Sequence, residues 1–377
     1  MRIAVNTRFL LPNKLEVIGW FTHEVLKRMV KDHPEDEFIF IFDRRYDKRF
    51  VFADNVKPVV LAPPARHPIL WYLWFEWSIP VYLKYLKADV FFSPDAYCSL
   101  RAKTPTVMVT HDIAHHHFPE MVPGIYGKYY NHYVPKFIER ADHIITVSEF
   151  VKNDIVQTYQ TDDNKITVAC NGARDIFKPL NEYIRQGIRK SASNGKPYFF
   201  YVGAVHPRKN VDRLITAFDQ FKSTDYQDYQ LLIGGRFAWD TGPVKTAYEN
   251  SNYKDSIHFL GYLLEDDLAN LMASADALTY ISNFEGFGMP ILEAMYCDVP
   301  VITSNISSMP EVVGPAGICV DPGNINEIVD AMHSIARNPG LRDDLVKYGK
   351  DWRTRFTWER AAQVIYEALV RTAQLKK

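Results

Sequence analysis

The chain is poor in the features from which several protein classes are built. Its four cysteines, Cys98, Cys170, Cys297 and Cys319, are far apart, and no C-x-x-C pair occurs. A zinc ribbon or a disulfide framework is therefore not expected, and a reducing cytoplasm fits best. The formal charge is only −1, which leaves no global attraction for nucleic acid or a strongly anionic partner. No run of about 18 uncharged apolar residues is present, so a spanning helix is not expected. The opening MRIAVNTRFL has a strand pattern without the apolar core of a signal peptide. Dinucleotide binding would need G-x-G-x-x-G after that strand. The segment NTRFLLPNKLEVIGW holds only Gly19, which counts against a nicotinamide-dependent oxidoreductase.

Length and apolar content are ample by contrast. At 377 residues, 47% hydrophobic and 24% charged, the chain has the make-up of a globular protein too long for one core. Strand-like runs RIAVN (2–6), EFIFIFD (37–43), KPVVLA (57–62), DVFFSPD (89–95) and PTVMVTHD (105–112) alternate with helical segments. A second series starts at Tyr198 with YFFYVG, QLLIGG, IHFLG, ALTYIS, VPVITS and GICVD. The alternation predicts an α/β fold of two Rossmann-like, doubly wound domains. SASNGKP (191–197) reads as a polar segment ahead of the second series.

One stretch, HPILWYLWFEWSIPVYLKYL (67–86), concentrates Trp and Tyr. It admits two readings, an amphipathic surface lying on a membrane or an aromatic helix packed in its domain and broken near Pro80. Pro80 and the few basic residues along it favour the packed helix.

Ligands of open α/β sheets bind at the carboxyl ends of strands, where His111 and Asp112 stand. His111 and His115 have the i, i+4 spacing of metal ligands on a helix, but Ile113 and Ala114 supply no adjacent base and Pro119 soon interrupts, so no metal site is expected. In GAVHPRKNVDRL (203–214), Gly203 ends a strand, Arg208 and Lys209 follow, and Asn210 is placed to cap the next helix. Two cations beside a helix N-terminus suit a diphosphate. In NFEGFGMPILE (283–293), Glu285 sits in a glycine-rich loop after a strand. Pro290 suits the first helical position, which puts Glu293 in the first turn. Glycines admit close approach of a ligand, and the two carboxylates can accept hydrogen bonds from sugar or ribose hydroxyls.

The run E-G-F-G-M-P-I-L-E-A resembles the Glu-x7-Glu signature of retaining glycosyltransferases of family 4, which have the GT-B fold. This resemblance implies two Rossmann-like domains facing each other across a cleft. Residues 1–180, with a C-terminal helix at about 357–377 packing back on them, would form an acceptor-binding domain. Residues 181–356 would bind the nucleotide sugar. It further implies Glu285 as a contact to the donor sugar, Glu293 as a contact to the ribose, and Arg208 and Lys209 as the diphosphate pair. His111 would lie close to the transferred sugar and the acceptor as a catalytic residue, with hydrogen bonding, orientation or general-base action as its role. Gly19, Gly203, Gly286, Phe287, Gly288 and Met289 would line the donor, and Tyr262 and Leu263 would contact the base. GGRFAW (234–239) is a further candidate for the base or diphosphate pocket.

The implied reaction retains the anomeric configuration. No D-x-D stands at a suitable strand end, since the acids at 162–163 and 266–267 are adjacent pairs, so metal independence is expected. No cofactor is implied beyond the co-substrate, a GDP- or UDP-hexose. The expected transfer is of mannose to a glycan or lipid-linked acceptor of a surface polysaccharide, in the cytoplasm or peripherally at the inner membrane face. The rival readings are a non-catalytic nucleotide-sugar-binding protein and a GT-B-like sugar-nucleotide epimerase, whose pattern lacks the paired acids.

Overall fold

The computed structural model describes residues 1–12, 15–122, 124–236 and 242–375. The chain divides into two compact units, Met1–Asn171 with Thr357–Lys377, and Gly172–Phe356. The first boundary thus falls after Asn171 and not at residue 180. The segment behind it is held by the second unit, where Arg174 pairs with Glu293 at 3.1 Å and Glu265 at 3.8 Å.

In the first unit, β1 (Arg2–Asn6), β2 (Glu37–Phe42), β3 (Val56–Val60), β4 (Val90–Ser93), β5 (Thr106–Thr110), β6 (His143–Thr146) and β7 (Ile166–Val168) form a seven-stranded sheet. Its order is β3-β2-β1-β4-β5-β6-β7, and every pairing is parallel. The central strands are apolar between their polar ends and almost wholly buried, as in sheets that helices cover on both faces. Chain direction along the sheet reverses between β1 and β4, where the carboxyl ends leave a crevice. The helix Trp358–Gln374 packs on Val17–Asp32. Arg28 reaches Glu359 at 2.6 Å, the Tyr366 hydroxyl donates to Asp36 at 2.7 Å, and Phe21 meets Trp358 edge-on.

The aromatic stretch is helical and does not break at Pro80. Pro68–Leu73 runs into a π-helical turn at Trp74–Ser78 and on into Ile79–Leu86. Proline clashes with the carbonyl four residues back, and the wider turn just before it absorbs the clash. Trp74 and Phe75 are wholly buried. The Trp74 indole donates to the Leu61 carbonyl and that of Trp71 to Ala65, each at 2.8 Å.

The second unit holds β8 (Tyr198–Val202), β9 (Gln230–Gly234), β10 (Ile257–Gly261), β11 (Ala277–Tyr280), β12 (Val301–Ser304) and β13 (Gly317–Val320). They form one parallel sheet in the order β10-β9-β8-β11-β12-β13. The reversal lies between β8 and β11, and these two strands lead into the Arg208–Lys209 and Glu285 loops. A helix at Glu182–Ser193 was not expected, and it takes in part of the supposed polar segment. Its apolar residues are few, and Asn181 caps it by accepting from the Ile184 N–H at 2.9 Å.

Candidate active site

Neighbouring strands at a sheet's reversal deliver their loops to the same place. The Asn283 N–H donates to the Arg208 carbonyl at 2.8 Å, which ties the loop after β11 to the loop after β8. Glu285 is buried between them. Its Oε1 accepts from the Lys209 ammonium and, at 2.7 Å, from the Tyr280 hydroxyl, while Arg208 stands 3.7 Å from Oε2. Burial alone would push this carboxyl up. Lys209 and then Arg208 outweigh it, holding Glu285 below the usual carboxylate range. The Tyr280 phenol moves the other way, raised by burial and by the Glu285 charge. The backbone of Glu285 is pinned as well: its carbonyl accepts from Ser307 and Ser308 at 2.6 and 2.8 Å. Buried charges are tolerated only when satisfied in this way.

Gly288 has φ +92° and begins the helix Met289–Tyr296, whose N-terminus no side chain caps. A β-carbon at Gly288 would be strained at that φ and would stand 3.0 Å from Ile291. Pro290 occupies the second helical position rather than the first, which moves Glu293 to the start of the second turn. Glu293 is buried and its carboxyl raised, since Arg174 only partly offsets the desolvation. Gly286 is buried beside Glu285, and Met289 is half-buried. Phe287 turns its ring inward, edge-on to Phe356 at 5.8 Å, so only its backbone is available to a ligand.

Gly203, after β8, lies against the end of β9. A β-carbon on Gly235 would stand 1.8 Å from the Gly203 carbonyl oxygen, at a φ of +140°. No side chain fits there. Tyr262 and Leu263 follow β10, Tyr262 exposed and Leu263 against Gly234. Of the GGRFAW candidate, Phe237, Ala238 and Trp239 lie outside the described residues. Asn210 corrects the expected cap. It holds the cap position at φ +58° but makes no capping bond. Its buried amide donates to the Pro322 carbonyl and accepts from Arg213, both at 2.8 Å.

Two expected residues belong to the first unit. Gly19 lies inside the first turn of Val17–Asp32, where a β-carbon would stand 2.8 Å from the Phe9 carbonyl. His111 follows β5 and packs edge-on to Phe21, with Nε2 2.9 Å from the Pro94 carbonyl. A carbonyl only accepts, so Nε2 carries the proton and Nδ1 presents a lone pair. Burial lowers the His111 pKa and keeps the ring neutral. At the carboxyl ends of β1, β4 and β5 opens a pocket of about 540 Å³, bordered by Arg8, Trp71, Asp95, Tyr97, Asp112 and His115. Arg8 is ion-paired to Asp95 and lies over the Tyr97 ring at 4.1 Å. His115 has a buried Nε2 without a partner among the described residues and a pKa pushed down by burial to about 4. Among the described residues no three His, Cys, Asp or Glu side chains cluster to hold a metal ion.

Family models match both units. That of the glycosyl transferases group 1 matches residues 185–352, and that of Glycosyltransferase Family 4 matches residues 19–174. The chain belongs to the family 4 glycosyltransferases. The O-antigen chain mannosyltransferase B of Escherichia coli is 29% identical over 286 residues, 75% of this chain and 73% of its own. The O-antigen chain mannosyltransferase RfbU of Salmonella typhimurium is 29% identical over 327 residues, 85% of this chain and 86% of its own. Among solved structures, Anabaena HepE in complex with UDP and glucose matches with a TM-score of 0.72 at 17% identity, covering 98% of this chain and 99% of its own. That likeness concerns the fold, which is of the GT-B class.

Several partners in this glycosyltransferase escaped the sequence reading. Tyr280 sits inside a run that reads only as buried strand. Arg174, Ser307 and Ser308 stand outside every motif singled out in the sequence. The single available signal was a phenol five residues before Glu285, at the strand's end.

Proposed function

We propose that this glycosyltransferase moves a hexose, mannose, from a nucleotide diphospho-sugar to a hydroxyl of a glycan or lipid-linked acceptor in surface polysaccharide synthesis. The observation that carries the reading is the cluster of Lys209, Arg208 and Tyr280 around the buried Glu285, beside the helix N-terminus at Gly288. An acid held ionised by two cations suits a sugar hydroxyl on one side and a diphosphate on the other. The choice of mannose rests on the names of the two bacterial relatives, both O-antigen mannosyltransferases. The donor is a GDP- or UDP-hexose, it is the only co-substrate, and no other cofactor is invoked.

In this scheme the bond from the anomeric carbon to the diphosphate breaks as the acceptor oxygen attacks from the same face, and the acceptor proton passes to the departing diphosphate. Arg208, Lys209 and the helix N-terminus after Gly288 take up the growing negative charge, a preorganised electrostatic role that a metal fills elsewhere. Glu285 holds the sugar and Glu293 the ribose. Gly19, Gly203, Gly286, Gly288 and Met289, the Phe287 backbone, Tyr262 and Leu263 remain the proposed donor contacts. His111, neutral with its Nδ1 lone pair, is given the smaller role of a hydrogen-bond acceptor. The first unit is assigned the acceptor and the second the donor. No helix among the described residues is long and apolar enough to cross a membrane, and a lipid-linked acceptor calls for peripheral contact with the inner face.

Release of nucleotide from a panel of UDP-, GDP- and ADP-sugars tests this, with EDTA and Glu285→Ala as controls. Slow hydrolysis of one donor, insensitive to EDTA and lost in the variant, is expected. The anomer of the transferred sugar, read by NMR, tests retention. If no donor is hydrolysed or bound, the non-catalytic reading takes its place.

A further inference from the structure

The helical run from Pro68 to Leu86 buries one side and leaves the other open. Ile69, Leu73, Trp77, Val81 and Tyr85 recur every fourth residue, with exposures of 60, 39, 54, 69 and 78%. In an uninterrupted α-helix such a repeat drifts by about 40° per step, so five members would wind round almost half of the cylinder. The π turn at Trp74–Ser78 rotates less per residue and takes back part of that drift. The stripe is thereby straightened along one face, about 24 Å long at the α-helical rise. A contiguous exposed apolar strip of this kind marks an interaction surface.

Charge identifies the occupant. Lys84 and Lys87 are exposed at the end of the run, and Arg101 lies over the Trp77 ring at 4.3 Å. Lys103, also exposed, comes from the same neighbouring loop. That loop is fixed to the helix by the Leu100 N–H, which donates to Glu76 at 2.9 Å. Glu76 is the only acid in residues 66–87 and 96–105, and it is buried. Cations rimming Trp, Tyr and aliphatic side chains match an anionic lipid surface. Lysine stems extend apolar contact while their heads reach the headgroups.

We propose that the outer face of this helix docks on an anionic bilayer, with the helix lying in the plane of the interface. The same helix turns Trp71 into the pocket at the carboxyl ends of β1, β4 and β5, so one element faces both the lipid and the space for a glycan head. The second statement rests on the acceptor proposed above, whereas the docking itself does not.

Co-sedimentation of the full chain with phosphatidylcholine vesicles, with and without about one-third phosphatidylglycerol, tests the docking. Binding only to the anionic vesicles, weakening with salt, is expected. Trp77→Glu with Val81→Glu lowers it at least tenfold, and Lys84→Gln with Lys87→Gln lowers it about fivefold per cation removed. Thermal melts and donor hydrolysis stay unchanged in these exposed-site variants, so lost docking is distinguishable from a misread transferase. Tyr85→Ser gives a second, milder probe. Failure of the wild type to bind, binding that survives the Trp77/Val81 variant, or conversion of a dimer to a monomer by that variant would each overturn the proposal. The last outcome would make the face a contact between copies of the chain.

Discussion

The two units share one fold plan and use it differently. In the second, the groups that matter come from two short loops after adjacent strands, and two half-buried cations are paired there with one buried acid. In the first, the pocket is assembled from single residues after several strands, and the rings of Phe9, Trp71, Tyr97 and Tyr130 stand among aliphatic walls beside one buried pair, Arg8 with Asp95. Charge packed at a sheet's reversal suits a ligand part that is always the same, such as a diphosphate. A mixed recess built from scattered positions can be recut one residue at a time. The contrast teaches where variation is tolerated on a common scaffold.

The largest effect should come from breaking the charged cluster. Lys209→Ala is expected to lower the rate of transfer by about 10²–10³-fold, the usual loss on removing a preorganised electrostatic group. Single-turnover kinetics should place the loss in the chemical step, and equal damage to acceptor KM alone would count against the contrast.

Next comes a backbone test. Gly235→Ala forces a β-carbon into the Gly203 carbonyl and should destabilise the second unit by more than about 1 kcal/mol, read as a fall in its urea midpoint. An unchanged midpoint would show that the two loops have room to part.

The third test uses pH on the first unit. His115 is held neutral, with a folded pKa of about 4 against an ordinary 6.5. The unfolded chain binds the proton more readily, so stability falls as pH drops from about 6.5 towards 4 and is whole above that window. His115→Gln should flatten the fall. Glu285 has the opposite origin: its lowered pKa gives stability present above the ordinary carboxylate value and lost on acidification through the folded value. A profile of Glu285→Gln that changes near pH 6 would contradict this division.

The smallest effect is expected at Tyr262, exposed at 67%. Tyr262→Ala should change stability by less than about 0.5 kcal/mol, and any effect should appear in the donor KM.

How much of this could be read in advance follows the same contrast. The strands of both sheets were legible because buried parallel strands are short β-prone runs between helical ones. Glu285, Arg208 and Lys209 were legible because their chemistry is contiguous in sequence. Tyr280 and Arg174 were not, since a residue's partner 5 or 119 positions away is chosen by the fold. Asn210 was read as a cap because the Asn oxygen at that position normally accepts from its own helix backbone, but Arg213 donates to that oxygen while the amide nitrogen donates to a carbonyl 112 residues on. The stretch 67–86 shows the limit most plainly. Its few basic residues argued for burial alone, but Arg101 reaches Trp77 from another loop, and no periodicity in the stretch itself announces a π turn.

The return of the last helix to the first unit has a consequence for how the protein is made. Arg28 and Asp36 find Glu359 and Tyr366 only across sequence separations of 331 and 330 residues. A ribosome adding about 5–20 residues per second needs on the order of ten seconds or more to make the intervening unit. Throughout that time the helix Val17–Asp32 lacks its covering neighbour, and the nascent first sheet is open to chaperones and to wrong partners. The second unit, contiguous in the chain, can be complete before the first is closed.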